Sequence, residues 1–263
     1  MATVNEKMTA IADVIRDKTG GIEPLTLDGI AENIPAVYEA GKKAERNEFW
    51  KVLTNNGAKQ SYYYTFSEKL WTKDNFKPTC NIVPTEAERT FYYHNRGGVA
   101  YDLAQQLEDC GVKLDMSNNT TGSYTFCYAA LTRIPEIDQR KSIFTCMFRQ
   151  NSSNTKLVTI DKIICSSNGD QAFTQTFDGC SKLKNVTFEG VIGRTISFSA
   201  SPLSVESMKS IISCLKDYSG TENEGTYTVT FSSACKDALD AEGNTSPNGN
   251  TWREYASDLG WNC

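Results

Sequence analysis

The chain has 263 residues, 39% of them apolar and 11% aromatic, with a formal charge of −5. That length can bury one long core or two separate ones. No block of basic residues offers a footprint for nucleic acid, and no apolar run reaches the ~20 residues of a membrane span.

Residues 1–57 predict a helical head. Thr3 and Glu6 have capping-box spacing, and Val4, Met8, Ile11, Ala12 and Ile15 then make one apolar helical face. The stretch from Met1 to Lys18 carries Glu6, Asp13 and Asp17, unlike the charged stub and apolar core of a signal peptide. The expectation is a protein made in a cytoplasm and not exported by the standard route. Gly20 and Gly21 stop this helix. Thr26 caps a second one with Leu27, Ile30, Ala31 and Ile34 on one face, and Pro35 forbids its continuation. A third helix is predicted from Pro35 to Leu53, stopping at Asn55-Asn56-Gly57. Its stripe of Val37, Tyr38, Gly41, Ala44 and Phe49 is loose. It suits packing on the head or on copies of itself, the latter predicting a homo-oligomer.

Residues 58–200 alternate short Tyr-, Phe-, Thr- and Ile-rich runs with Asn, Ser and Gly clusters, and a unit recurs. Its clearest copy runs from Phe177 to Phe188, through Gly179, Cys180, Leu183 and Val186. A second runs from Phe126 to Ile137, with Leu131 and Ile134. A third, with an insertion, starts at Met147-Phe148 and continues through Leu157, Ile160 and Ile163. The Phe and Leu are expected inside one coil, and the Ile or Val in a short strand that pairs with the next coil. Weaker copies are predicted at Leu107–Met116, with Val112, Leu114 and Met116 alternating as in a strand, and at Trp71–Val83. A helix pattern covers Tyr101–Leu107.

Residues 201–263 predict a helix–strand–helix cap. Ser204 caps a helix bearing Val205, Met208, Ile211, Ile212 and Leu215, and Tyr227, Val229 and Phe231 alternate as a strand. Cys235–Leu239 suggests a helical turn and Trp252–Leu259 a last helix. The fold class is therefore α/β, a solenoid between two terminal elements.

Catalytic and metal-binding signals are weak. The nine cysteines are odd in number and form no CxxC pair, and several recur about every 15 to 20 residues, as a small buried repeat position would. With His94 the single histidine, a Cys/His zinc site has little support and no cofactor is expected. His94 reads as a loop or surface residue. Glu86, Glu88, Glu108 and Asp109 could pair for glycoside hydrolysis, but solvated charge is their default reading. The aromatic runs are more informative. Tyr62, Tyr63, Tyr64 and Phe66, and later Phe91, Tyr92 and Tyr93, put half of each run on the outside of a strand. Tyr62, Tyr64, Tyr92 and Tyr93 are therefore the candidate binding residues, since Tyr joins a large rigid ring to a polar tip. Covering the seam between head and solenoid is the competing reading.

The spacing from Phe177 through Cys180 and Leu183 to Val186 resembles the repeat of BspA-like leucine-rich-repeat proteins. The run from Met8 to Gly21, followed by Leu25 to Ala31, is similar to an N-terminal segment common in proteins of phages and prophages of gut Firmicutes. Leu203 to Ser207 and the closing Leu259-Gly260-Trp261 look like the end of the same proteins. The resemblance implies an irregular leucine-rich-repeat solenoid and a non-catalytic structural or receptor-binding component of a phage or prophage particle. It implies a virion location after synthesis in the bacterial host cytoplasm, with the head joined to other virion or tail proteins. A host surface protein or glycan is the implied receptor, and a trimer is the implied oligomer. A protein–protein interaction module without a particle role and a cell-wall hydrolase are the alternatives.

Overall fold

A computed structural model describes residues 43–62, 64–67, 71–151 and 155–263. The two helices expected from Thr3 and from Thr26 lie outside the described residues, as does Tyr63. The protein is a mixed α/β chain built on a parallel β-solenoid of about five turns, with five helices among the described residues. It divides into two units, Met1–Asn56 and Gly57–Cys263.

In the first unit residues 43–53 are helical. The helix stops where Asn55 and Asn56 take positive φ, 49° and 52°, a conformation Asn tolerates better than most residues. Trp50 is buried, whereas Phe49 and Val52 are 54% and 81% exposed.

In the second unit the strands are short and every pairing is parallel. They are β1 (Gln60–Ser61), β2 (Pro84–Glu86), β3 (Tyr101–Asp102), β4 (Leu131–Ile134), β5 (Ile137–Asp138), β6 (Thr159–Ile164), β7 (Asn185–Glu189), β8 (Ile196–Phe198) and β9 (Val229–Phe231). Parallel neighbours need a long return path, and here one coil supplies it. Arg133 pairs with Thr159 and Thr159 with Asn185, so the chain returns every 26 residues on this side. The same register stacks Ile134 on Ile160 on Val186, all buried. Leu131, Leu157 and Leu183, three residues earlier in each copy, are buried too. The strand expected around Leu114 is reduced to one bridge, Ile82 to Leu114, though Val112, Leu114 and Met116 are all buried.

The coils are also joined by phenylalanines, the last two of them in β8 and β9. Phe66, Phe91, Phe126, Phe148, Phe177, Phe198 and Phe231 form one buried column. Successive ring centroids lie 5.4, 5.1, 5.8, 5.6, 4.4 and 6.2 Å apart. Around the first five rings the backbone is a ribbon of turns, not a strand. In each coil the residue two before the phenylalanine has positive φ: Tyr64, Arg89, Tyr124, Cys146 and Gln175, between 52° and 60°. In three coils the residue two after it does as well: Tyr93, Tyr128 and Gly179. Each lies third in a four-residue turn closed by a backbone bond, such as Thr125 N–H to Gly122 O or Cys180 N–H to Phe177 O, which is the place where a type II turn requires positive φ.

Alternate amides of this ribbon leave the coil and bond the next one. Phe66, Phe91, Phe126 and Phe148 donate to the carbonyls of Thr90, Thr125, Met147 and Thr176, at 2.8 to 3.0 Å. Threonine hydroxyls bind between the rungs, Thr125 Oγ1 donating to both Ala87 O and Gly122 O at 2.8 Å. Most of these turn amides thus have a partner inside their own coil or in the next, as buried backbone demands.

Four helices complete this unit: α1 (Leu103–Asp109), α2 (Val205–Ser213), α3 (Ser233–Asp240) and α4 (Trp252–Asp258). Asp102, Ser204, Ser232 and Thr251 cap them through their side chains. The helix α3 is longer than the turn expected at Cys235–Leu239, because the cap is Ser232. Next to β7, Val186 N–H donates to Ser207 Oγ and Phe188 N–H to Ser210 Oγ, both at 2.9 Å. These two serines of α2 take the amides that β7 would offer to another strand.

Candidate binding face

The ribbon builds the candidate site. Residues two before the column phenylalanine form an outer column of their own, in which Arg89 stands between Tyr64 and Tyr124. Its guanidinium lies 5.3 Å from the Tyr64 ring, 5.1 Å from Tyr124 and 6.0 Å from Tyr92. Residues two after it form a second column, in which Tyr93 stacks on Tyr128 at 5.1 Å and Arg96 lies 4.3 Å from the Tyr93 ring. Tyr92 joins the columns, its ring 6.2 Å from Tyr64, 4.2 Å from Tyr93 and 6.3 Å from Tyr124. Burial, with the neighbouring Tyr93 hydroxyl, pushes the Tyr92 phenol above its ordinary value. The face continues to Arg149, which donates to Gln175 Oε1 at 3.2 Å.

Three of the four tyrosines named from sequence share this face. Tyr64 is 37% exposed, and Tyr92 and Tyr93 are half-buried. Tyr62 does not belong to it: the ring is fully buried, 5.7 Å from Phe66. The expectation of an outward Tyr62 rested on strand alternation. The chain instead turns at Tyr62–Thr65, with Thr65 N–H bonded to Tyr62 O, so the ring at the turn's start points inward. The same turns put Tyr92 and Tyr93 side by side rather than on opposite faces.

Arg89, Tyr124, Tyr128 and Arg149 were missed by the sequence reading. Aligning the chain on its phenylalanines would have found the first three, since Arg89 and Tyr124 precede Phe91 and Phe126 by two and Tyr128 follows Phe126 by two.

His94 is corrected from a loop or surface residue to a core residue. It is 0% exposed, its Nδ1 lies 2.7 Å from Phe66 O, and its Nε2 lies 2.6 Å from the Tyr101 hydroxyl. These bonds hold a neutral ring with Nδ1 donating and Nε2 accepting. Burial lowers its pKa to about 4. Both nitrogens are engaged, and neither partner is a cysteine. The nine cysteines are thiols; Cys127, Cys146, Cys165, Cys180 and Cys235 are buried, and burial raises Cys127 to about 12. Among the described residues no group of three or more His, Cys, Asp or Glu could hold a metal ion, and no helix is long and apolar enough to cross a membrane.

The strand side offers a different surface. A cleft of about 520 Å³ lies beside α1 and β4, lined by Glu108, Arg133, Glu136 and Asp161 among others. Its arginine is already held, Arg133 pairing with Asp102 and Asp161. On the same sheet Lys162 pairs with Glu136 and Glu189. Comparison with protein-family models, with curated proteins and with solved structures finds no match for this chain.

Proposed function

We propose that this chain is a non-catalytic binding protein, a structural or receptor-binding component of a phage or prophage particle, with a leucine-rich-repeat solenoid of the BspA-like kind. The observation that carries the binding role is the ribbon face, where five tyrosines and Arg89 are held in fixed array by interlocked coils. Rigid rings with phenol tips beside a guanidinium suit the recognition of a ligand. The repeat kinship draws support from Leu131, Leu157 and Leu183, buried three residues before Ile134, Ile160 and Val186. On this reading the N-terminal unit joins other virion or tail proteins, the helices and strand of residues 201–263 close the last coil, and the solenoid presents the ribbon to the host surface.

Immunogold electron microscopy of particles induced from the source strain tests the assignment. Label on purified particles is expected. Its absence from particles, with the protein found only in the soluble lysate, contradicts the particle role.

A further inference from the structure

The tyrosines of the ribbon form one connected group of oxidisable rings. Tyr64, 37% exposed, lies 6.2 Å from Tyr92, and Tyr92 lies 4.2 Å from Tyr93 and 6.1 Å from Tyr128. Within the group Tyr93 and Tyr128 come nearest to parallel, their centroids 5.1 Å apart and their planes 22° from each other. Ring faces in full overlap would stand ~3.5–4.0 Å apart, so this pair is offset, the edge of one ring over the other.

The backbone fixes this pair. Each residue follows its column phenylalanine by two and has positive φ, 55° for Tyr93 and 59° for Tyr128. Tyr93 N–H donates at 3.0 Å to Cys127 O, the carbonyl just before Tyr128, and Tyr128 N–H donates at 2.8 Å to Arg149 O in the following coil. Arg96 lies 4.3 Å from the Tyr93 ring and narrows its freedom. Two phenols held together before they are oxidised couple as an intramolecular reaction, with little left to chance encounter. The neighbouring thiol does not stand in the way. Burial raises Cys127 to about 12, so it stays protonated near neutral pH, and the thiolate is the reactive form. Tyr218 and Tyr227 are also 5.1 Å apart, but their planes differ by 41° and Tyr218 is 6% exposed, against the core ring of Trp261.

We propose that Tyr93 and Tyr128 form an oxidative cross-linking site, where hydrogen peroxide acting through a haem peroxidase joins the two rings and welds neighbouring coils. Each phenol gives up one electron and its hydroxyl proton. The two phenoxyl radicals then form a bond between ring carbons ortho to oxygen. The hydrogen on each bonded carbon moves to the oxygen of its own ring, which restores two phenols. The two electrons and two protons released reduce one peroxide to two waters. Tyr64 is the point of entry, and Tyr92 passes the oxidation inward. A bond between Tyr92 and Tyr93 themselves is disfavoured, since it would close a small ring through one planar peptide. The fold forms without the cross-link, and oxidation adds it afterwards. Coupling at this pair depends neither on ligand recognition nor on a particle.

The test oxidises the full chain in dilute solution with hydrogen peroxide and a haem peroxidase. Dityrosine fluorescence follows the reaction, and mass spectrometry after unfolding and trypsin digestion maps the bond. The peptide ending at Arg96 is expected joined to the peptide ending at Arg133, less two hydrogens, within a single chain. Tyr93→Phe and Tyr128→Phe keep the rings and remove the hydroxyls. Each should lower the yield at least fivefold with circular dichroism unchanged, whereas Tyr227→Phe should leave the yield as it is. The cross-link closes a long loop, so the oxidised chain should melt about 5 °C or more above the unoxidised one. Absence of dityrosine contradicts the proposal. So does a bond at Tyr218 and Tyr227, a bond formed only between chains, or a yield that survives either Phe substitution at the pair. A cross-linked chain that melts where the unoxidised chain does contradicts the weld.

Discussion

Tyr128 and Gly179 hold the same place in two coils. Each follows its column phenylalanine by two residues, Phe126 and Phe177, and each has positive φ, 59° and 70°. One position thus shows what the turn prefers and the other what this chain puts there instead. At Gly179 there is no room for a choice, because a Cβ would come within 2.3 Å of the Gln150 carbonyl oxygen of the preceding coil. Gly179→Ala is expected to lower stability by 2 kcal/mol or more, through both the clash and the strained φ, as a fall in the urea midpoint. An unchanged midpoint contradicts the coil spacing described above.

His94 gives the protein a specific acid sensitivity. The folded pKa is about 4 against an ordinary 6.5. Above pH 6.5 the ring is neutral in both states and costs nothing. As pH falls from 6.5 to about 4 the unfolded chain takes up a proton that the folded core, with Phe76, Phe91 and Tyr101 around the ring, refuses. The stability lost across that window is about 3 kcal/mol. Urea midpoints of the wild type and of His94→Gln, compared between pH 7.5 and 4.5, isolate it: the wild type should fall more steeply. Parallel curves contradict a neutral buried His94.

Ser207 and Ser210 end the strand ladder. Replacing both by alanine leaves the amides of Val186 and Phe188 without their acceptors, at about 1–3 kcal/mol each. It also opens the edge of β7. The double variant should melt lower and self-associate on light scattering. A variant as stable and as monodisperse as the wild type shows that the helix gives β7 no more than cover.

The exposed helix of the first unit bears on oligomeric state. Phe49 and Val52 are three residues apart, hence on one helical face, and 54% and 81% exposed. Apolar side chains so placed predict self-association. Wild-type protein should scatter with a mass above the 29.2 kDa of one chain, and Phe49→Gln with Val52→Gln should return it to that mass. A wild-type mass of one chain rejects the oligomer.

Much of the solenoid was legible in the sequence, because buried phenylalanine, leucine and isoleucine recur with the coil. Phe126, Leu131 and Ile134 repeat as Phe177, Leu183 and Val186, and the structure stacks them. The ribbon was not legible, for a physical reason. Tyrosine and arginine are poor residues for positive φ, so nothing in their propensities announces a turn. Runs such as Phe91-Tyr92-Tyr93 match the composition of a strand, and that reading misplaced Tyr62 and left out Tyr124 and Tyr128. His94 was misread likewise: its bonds to Phe66 and Tyr101 join residues 28 and 7 positions away, which local pattern cannot show.

The central claim is that the outer tyrosines are kept for binding and not for the fold. Tyr124→Gly with Tyr128→Gly tests it most directly, by measuring the urea midpoint and binding to host cells on one preparation. Relief of two strained φ angles should offset part of the lost ring burial, leaving a cooperatively folded chain with unchanged circular dichroism, while binding falls at least tenfold. A variant that binds as the wild type does, or that no longer folds, would contradict the claim and make the face a structural one.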